Sequence, residues 1–206
     1  MPTFMLSPDV KVKYELSDEQ PEQNFDPDNF RSTKRVRVTL DQSEIQEMYD
    51  YRLPQERREI LEKLLAKYVG THKFHNYTKQ GKAKDKNMQR FMMDINVLEY
   101  KVYDGIEFAR VFLRGQSFLY NQIRKMMGGV FLIMHYGLPE SFIDNTLKDN
   151  DVNVPTAPGE GLMLNRVAYD RYNNNRKKDI PEPVKPWDSK TEELENFRIG
   201  LVNYIC

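Results

Sequence analysis

The chain has 206 residues, 39% of them hydrophobic, which is enough for one sizeable buried core. Lys plus Arg and Asp plus Glu balance at 31 each, so no overall charge drives the molecule as a whole toward nucleic acid. A single cysteine, Cys206 at the last position, excludes a disulfide and a thiolate metal site and implies a reducing, intracellular setting. The longest uninterrupted apolar run, 130–134, is far too short to cross a bilayer, and no signal peptide is recognisable ahead of the fold.

In chain order, the charges prove to be segregated. Residues 15–28 hold six acidic side chains and no basic one, within a polar stretch, 11–51, read as a variable and partly disordered insertion. Val36, Val38 and Leu40 alternate there as a short strand. Pro54 then opens a helix, since proline is tolerated in a first turn. Ile60, Leu61, Leu64, Leu65 and Tyr68 give that helix an apolar stripe, and Gly70 ends it. Residues 71–90 carry six basic groups, Lys73, Lys79, Lys82, Lys84, Lys86 and Arg90, against Asp85 alone. A solvated lysine loop and a local contact for phosphates both fit that run. His72 and His75 form an HxxH pair without a cysteine or a third ligand at a usual spacing, which argues against zinc. Phe91, Met93, Ile95 and Val97 alternate as a strand, Asp104 and Gly105 supply a turn, and Ala109, Val111 and Leu113 alternate in a second strand, predicting an antiparallel pair.

The segment GQSFLYNQIRKMMGG, 115–129, places one arginine inside an otherwise apolar helical run. From 108 to 139 there are four basic residues, Arg110, Arg114, Arg124 and Lys125, and no acidic one, so a partner for Arg124 must come from a distant segment, another chain or an anionic ligand. Leu119, Ile123, Met126, Met127, Val130 and Met134 fall within about 100° of a helical wheel, and Arg124 sits beside that stripe. Gly128, four residues on, leaves room for a group to approach the guanidinium. An arginine snorkelling from the rim of a core helix explains this placement, and so does a fixed two-donor fork for a carboxylate or phosphate.

Pro139 begins a short helix near 140–148, Val154, Pro155, Ala157 and Pro158 form a stiff loop, and 162–169 reads as a returning strand with Leu162 and Leu164 on one face. The resulting class is α+β, an antiparallel sheet with helices on one face. From Tyr172 onward the character changes: Asn173 to Asn175 and the run PEPVKPW read as an extended linker, followed by a helix from Ser189 carrying Leu194, Phe197 and Leu201, with Trp187 as an anchor.

GQSFLYNQIRKMMG, followed by VPTAPGEGLML at 154–164 and preceded by GTHKFHNYT at 70–78, resembles the TruA-type tRNA pseudouridine synthases in their eukaryotic form. The similarity runs from Met1 to about Asn173 and fades in the tail. It implies that residues 1–173 correspond to the second, C-terminal half of a pseudouridine synthase catalytic domain, with 174–206 as linker and tail, in a fold of two related α/β halves whose sheets join at the active-site cleft. In that family the arginine matching Arg124 forms an ion pair with the catalytic aspartate. The family's nucleophile motif, roughly RTDxGVHA or RCDKGVSA, has no counterpart string here, and MPTF resembles the end of a second motif whose catalytic tyrosine falls just before it. The chain alone is therefore expected to be inactive.

The resemblance further implies that His72, Phe74 and Asn76 lie near the cleft, that Tyr120 flanks Arg124, and that a leucine of the pair Leu162 and Leu164 floors a flipped uracil. Lys73, Lys79, Lys82, Lys84, Lys86, Arg114 and Lys125 are then the candidates for RNA phosphates. No cofactor and no metal is expected. The implied partners are tRNA or other structured RNA and the N-terminal half of the domain, with no membrane, and an exposed sheet edge would favour a homo-oligomer. A non-catalytic RNA-binding or scaffold fragment of the same fold is the alternative.

Overall fold

Turn chemistry and pairing build the sheet. Strand β2, Gln89–Tyr103, and strand β3, Ile106–Gly115, are joined by Asp104 and Gly105, whose φ values of 45° and 83° are the positive pair a tight right-twisting hairpin demands. A Cβ on Gly105 would come within 2.3 Å of the Tyr49 ring, so this glycine also seats the helix α1, Gln42–Asp50. Strand β1, Gly70–Lys73, adds on the far side of β2, giving the antiparallel order β1-β2-β3. The computed structural model describes residues 1–7, 42–79, 81–176, 182–184, 192–194, 196, 197, 199 and 200.

Alternation predicted Phe91, Met93, Ile95 and Val97 on the core face, but the phase differs. Met92 is fully buried and Ile95 is 6% exposed, whereas Phe91 and Met93 remain 43% and 42% exposed. Register shifts between Met92 and Asp94 and between Val97 and Glu99 insert an extra residue into the ladder, and one residue exchanges the two faces of a strand. In β3 Ala109 is fully buried, while Val111 and Leu113 pack partly buried against the same core.

Helix α2, Gln55–Ala66, follows Pro54 as predicted and buries Leu61, Leu64 and Leu65. It ends before Gly70; that glycine, at φ 109°, instead opens β1, whose sequence GTHK has no apolar alternation and which is ordered by pairing with β2. Helix α3, Gln122–Tyr136, stops at Gly137 in the left-handed conformation, whose N–H donates to the Ile133 carbonyl. Its buried face is turned from the predicted stripe: Gln122, Lys125, Met126, Gly129, Val130, Ile133 and Met134 lie inside, Ile123 and Met127 are half-buried, and Leu119 precedes the helix. Helix α4, Ser141–Thr146, lies within the predicted short helix and is tied to α2 by the ion pairs Lys63–Glu140 (2.8 Å) and Lys67–Asp144 (2.7 Å). One cluster holds Leu61, Leu65, Met92, Ile95, Ala109, Met126 and Val130, so α2 and α3 share a single core with the sheet. Among the described residues no helix is long and apolar enough to cross a membrane.

The returning strand expected at 162–169 does not form; that stretch is irregular. A strand needs a ladder partner, and the outer edge of β3 is met instead by the first residues, with Pro2 bridging Phe108 and Met1 exchanging hydrogen bonds of 3.0 and 2.9 Å with Ala109. Asn173 and Asn175 belong to helix α5, Asp170–Asn175, rather than to an extended linker, and the Asn173 amide closes both hydrogen bonds of Val184 at 2.9 Å. In the tail, 192–194, 196, 197, 199 and 200 are helical, with Phe197 exposed. Val36, Val38, Leu40, Trp187 and Leu201 lie outside the described residues.

Two buried polar networks fasten the elements. Glu107 of β3 accepts hydrogen bonds from the Leu53 N–H (2.9 Å) and from Arg58 Nη2 (2.8 Å), and the Arg58 guanidinium lies 4.2 Å from the Tyr100 ring centroid. Beneath α3, the Tyr77 hydroxyl bonds Thr146 and donates to Tyr68 (3.3 Å), which donates to the Met126 carbonyl (3.2 Å). Burial pushes the Tyr68 phenol well above its ordinary value, raises that of Tyr77, and, with the Glu62 charge second, raises Tyr100 to about 12.

Glu107→Ala leaves the Leu53 N–H unpaired while Arg58 can still reach water, so urea melts should register a loss of about 2 kcal/mol. The tyrosines give a separate expectation. Their folded-state pKa values lie above the unfolded value, so their contribution is fully present below pH ~10 and is lost as pH rises through the folded values. The urea midpoint should therefore lose the tyrosine contribution as pH rises from ~10 toward ~12.

Candidate functional site

At the start of α3 the chain turns sharply. Asn121, with φ 63°, sits in the left-handed region, and the buried Gln122 accepts a hydrogen bond from the Leu119 N–H at 2.8 Å. This geometry brings Arg124 to the rim of the core, half-buried. Its Nε donates to the Ala157 carbonyl at 2.8 Å, the Ala157 N–H donates back to the Arg124 carbonyl at 3.1 Å, and Nη1 reaches Asn121 Oδ1 at 3.5 Å. A Cβ on Gly159 would stand 3.2 Å from Arg124 Nε and 3.3 Å from Cζ, so the 154–159 loop wraps the guanidinium closely.

The partner of Arg124 is therefore a distant segment, but it offers a carbonyl rather than a carboxylate. Among the described residues, Arg124 belongs to none of the ion pairs. Gly128 does admit a close approach, and the group it admits is the Pro155 carbonyl, to which an added Cβ would come within 2.1 Å. Gly129, next along, accommodates the Tyr68 hydroxyl, 3.0 Å from where its Cβ would be. The two glycines thus fit α3 between the 154–159 loop on one side and the buried tyrosine chain on the other.

Beside this loop opens a cleft of about 710 Å³, walled by His75, Asn76, Thr78, Lys79, Gly81 and Lys125 on one side and by 151–156 on the other. Asn76 organises it. Its amide nitrogen donates to the Thr146 and Asn150 carbonyls, both at 2.8 Å, and its oxygen accepts from the Val152 N–H at 2.9 Å. His75 Nε2 lies 3.0 Å from the Asn150 carbonyl. Lys125 Nζ donates to the Asn76 carbonyl at 3.2 Å, and burial first, then the charge of Lys79, lowers the Lys125 pKa.

The structure brings some of the sequence-derived residues together and separates others. Arg124, Lys125, Asn76 and Lys79 gather at or beside the cleft. Phe74 is fully buried, its ring 5.5 Å from that of Tyr77, and is part of the core. His72, on β1, has its Nε2 2.9 Å from the carbonyl of Val69, which precedes the strand. Tyr120 is 74% exposed, and Leu162 and Leu164 are 45% and 69% exposed on irregular backbone, so the apolar floor is not assembled from a strand face among the described residues. Lys73 pairs with Asp149 at 2.6 Å; Lys82, Lys84 and Lys86 are exposed on 82–88, and Arg114 is exposed in register with Asp94. Among the described residues no group of three or more His, Cys, Asp or Glu is placed to hold a metal ion. Tyr68, Tyr77, Thr146 and Gly159 escaped sequence reasoning as site supports. Their roles arise from contacts 58 to 69 positions apart in the chain or, for Gly159, from packing on Arg124, and no local pattern carries either.

Residues 64–170, more than half of the chain, match the tRNA pseudouridine synthase family. The chain belongs to that family. It is 38% identical over 149 residues to the mouse and human proteins named Pseudouridylate synthase 1 homolog, covering 72% of this chain and 35% of each of theirs. With the Candida albicans protein named tRNA pseudouridine synthase 1 it shares 32% identity over 159 residues, 77% of this chain and 26% of that protein. The chain thus spans roughly a third or less of the length of these curated relatives. The family match takes in the sheet, α3, α4 and both walls of the cleft.

Helix propensity alone would make Gly128→Ala stabilising by about 1 kcal/mol. The Pro155 carbonyl reverses that sign, and urea or thermal melts should show a loss of about 1 to 3 kcal/mol as the loop is forced off α3. Gly137→Ala meets open space and only the left-handed backbone, so it should cost about 1 to 2 kcal/mol without disturbing the loop.

Proposed function

We propose that this chain supplies the Arg124 side of a tRNA uridine-to-pseudouridine isomerase. The observation that carries the reading is one arginine, in the family's own motif, held by backbone carbonyl and glycine contacts with no carboxylate partner among the described residues. A guanidinium so placed keeps donors for a second partner. The nucleophilic aspartate of the RxDxGV motif, of which this sequence has no copy, is the group it suits.

In the reaction the resemblance implies, that aspartate attacks the flipped uridine and the glycosidic bond breaks. The uracil then turns within the pocket and is rejoined through C5, with release of the C5 proton and no cofactor. The aspartate must be ionised to attack. An arginine within about 4 to 6 Å lowers a carboxylic acid's pKa by about 1 to 3 units, which keeps the nucleophile charged at neutral pH. The second donor of Arg124, Nε, is engaged by Ala157, so the loop holds the guanidinium plane at a fixed tilt before the aspartate arrives. The lysines at 73–86 would carry the RNA contact.

Release of the C5 proton from labelled uridine in tRNA tests the reading. In the complete protein carrying both motifs, Arg124→Lys should fold yet lose turnover on the order of 100-fold, because a point charge on a flexible stem cannot both bond Ala157 and orient an aspartate. The isolated chain should release no proton. Turnover by the chain alone, or full activity of Arg124→Lys, would remove Arg124 from the chemistry. RNA binding that persists in a complete protein with no turnover would favour the non-catalytic alternative.

A further inference from the structure

We propose that the cleft between 75–81 and 151–156 is a subsite for a single phosphodiester of the RNA strand, bound by Lys125 and Lys79. The inference rests on the RNA-directed reading above and adds to it a defined position, separate from the exposed lysines at 82–86.

Lys125 differs from the other lysines of the chain's basic segments. It projects from α3, one residue after Arg124, and is only 8% exposed, yet it is one of the residues lining an open cleft of about 710 Å³. The Asn76 carbonyl, at 3.2 Å, takes one of its three donors. Burying an ammonium next to a second positive charge is unfavourable to the empty protein, and both effects act on Lys125 in the direction of losing its proton. An anion in the cleft relieves both at once. Thr78 and Thr156 add hydroxyls to the same walls. Among the described residues Asp151 is the one carboxylate lining the cleft, so the positive excess is small and suits one singly charged phosphodiester better than a polyphosphate.

The walls are set before any ligand arrives. The three side-chain hydrogen bonds of Asn76 fix the 146–152 segment against the 75–78 turn, so the cleft keeps its width without an ion in it. The same loop then runs through Pro155 and Thr156, which line the cleft, to Ala157, which holds Arg124. A phosphate seated between Lys125 and Lys79 therefore positions the strand relative to Arg124 through one short piece of backbone.

Binding of the full 206-residue chain to tRNA, followed as a function of salt, tests this. Each phosphate contact contributes about 0.7 to 0.9 to the slope of log K against log salt. Because both lysines share one phosphate, the pair Lys79→Gln and Lys125→Gln together should lower the slope by about 0.7 to 0.9, whereas Lys82→Gln added to Lys125→Gln should lower it by the sum of two contacts, about 1.4 to 1.8. Neutral methylphosphonate placed at successive positions of a tRNA-derived strand should weaken wild type at one phosphate where Lys79→Gln is weakened less. Lys79 is exposed, so Lys79→Gln and the methylphosphonate scan decide the matter even if Lys125→Gln unfolds the chain. A wild-type chain that binds no tRNA overturns the RNA-directed reading itself. A wild type that binds tRNA, with an unchanged slope in Lys79→Gln or with fully additive loss in the double variant, overturns the subsite alone.

Discussion

The reciprocal hydrogen bonds between Arg124 and Ala157 join segments 33 positions apart, and the arrangement of the site depends on them. An arginine at the edge of an apolar helix must satisfy its donors, and an irregular loop must satisfy its backbone groups. Each meets the other's need here. The carbonyl that orients the guanidinium belongs to the residue whose N–H is closed by the arginine's own carbonyl, so displacing either partner strands polar groups on both.

That contact is possible only because α3 carries glycines where neighbours come closest. Any side chain at 128 would strike the Pro155 carbonyl, and at 129 the Tyr68 hydroxyl. Helix propensity is weakened by two adjacent glycines, and the packing around them compensates: the loop seals one side of the helix and the Tyr68, Tyr77 and Thr146 hydroxyls brace the other. The first turns of α3, which carry Arg124 and Lys125, are thereby held from two directions. A donor already in place costs no reorganisation when a charged group comes near it.

The cleft is built on the same economy. Asn76 spends its whole side chain on three backbone groups and its own carbonyl on Lys125, so a residue that looks from the sequence like a ligand-facing amide acts as the brace of the wall. Phe74, two residues earlier, is core. In the motif GTHKFHNYT the amide braces the cleft wall and the aromatic rings of Phe74 and Tyr77 pack into the core.

Membership of the tRNA pseudouridine synthase family was legible in three short motifs, and so were the α+β class, the hairpin turn at Asp104 and Gly105, the helix after Pro54 and the place of Arg124 beside an apolar stripe. These follow from local physics, namely periodicity, positive-φ turn residues and proline's fixed φ, and a linear sequence records all of them. The phase of β2, the existence of β1, the absence of a strand at 162–169 and the partner of Arg124 were decided by tertiary structure. A bulge changes which face is buried without changing composition, and a four-residue strand or an unpaired one is settled by whether a neighbour offers its hydrogen bonds. The Ala157 carbonyl could not be read at all, because every residue has a carbonyl, and only the folded chain determines which one meets the guanidinium.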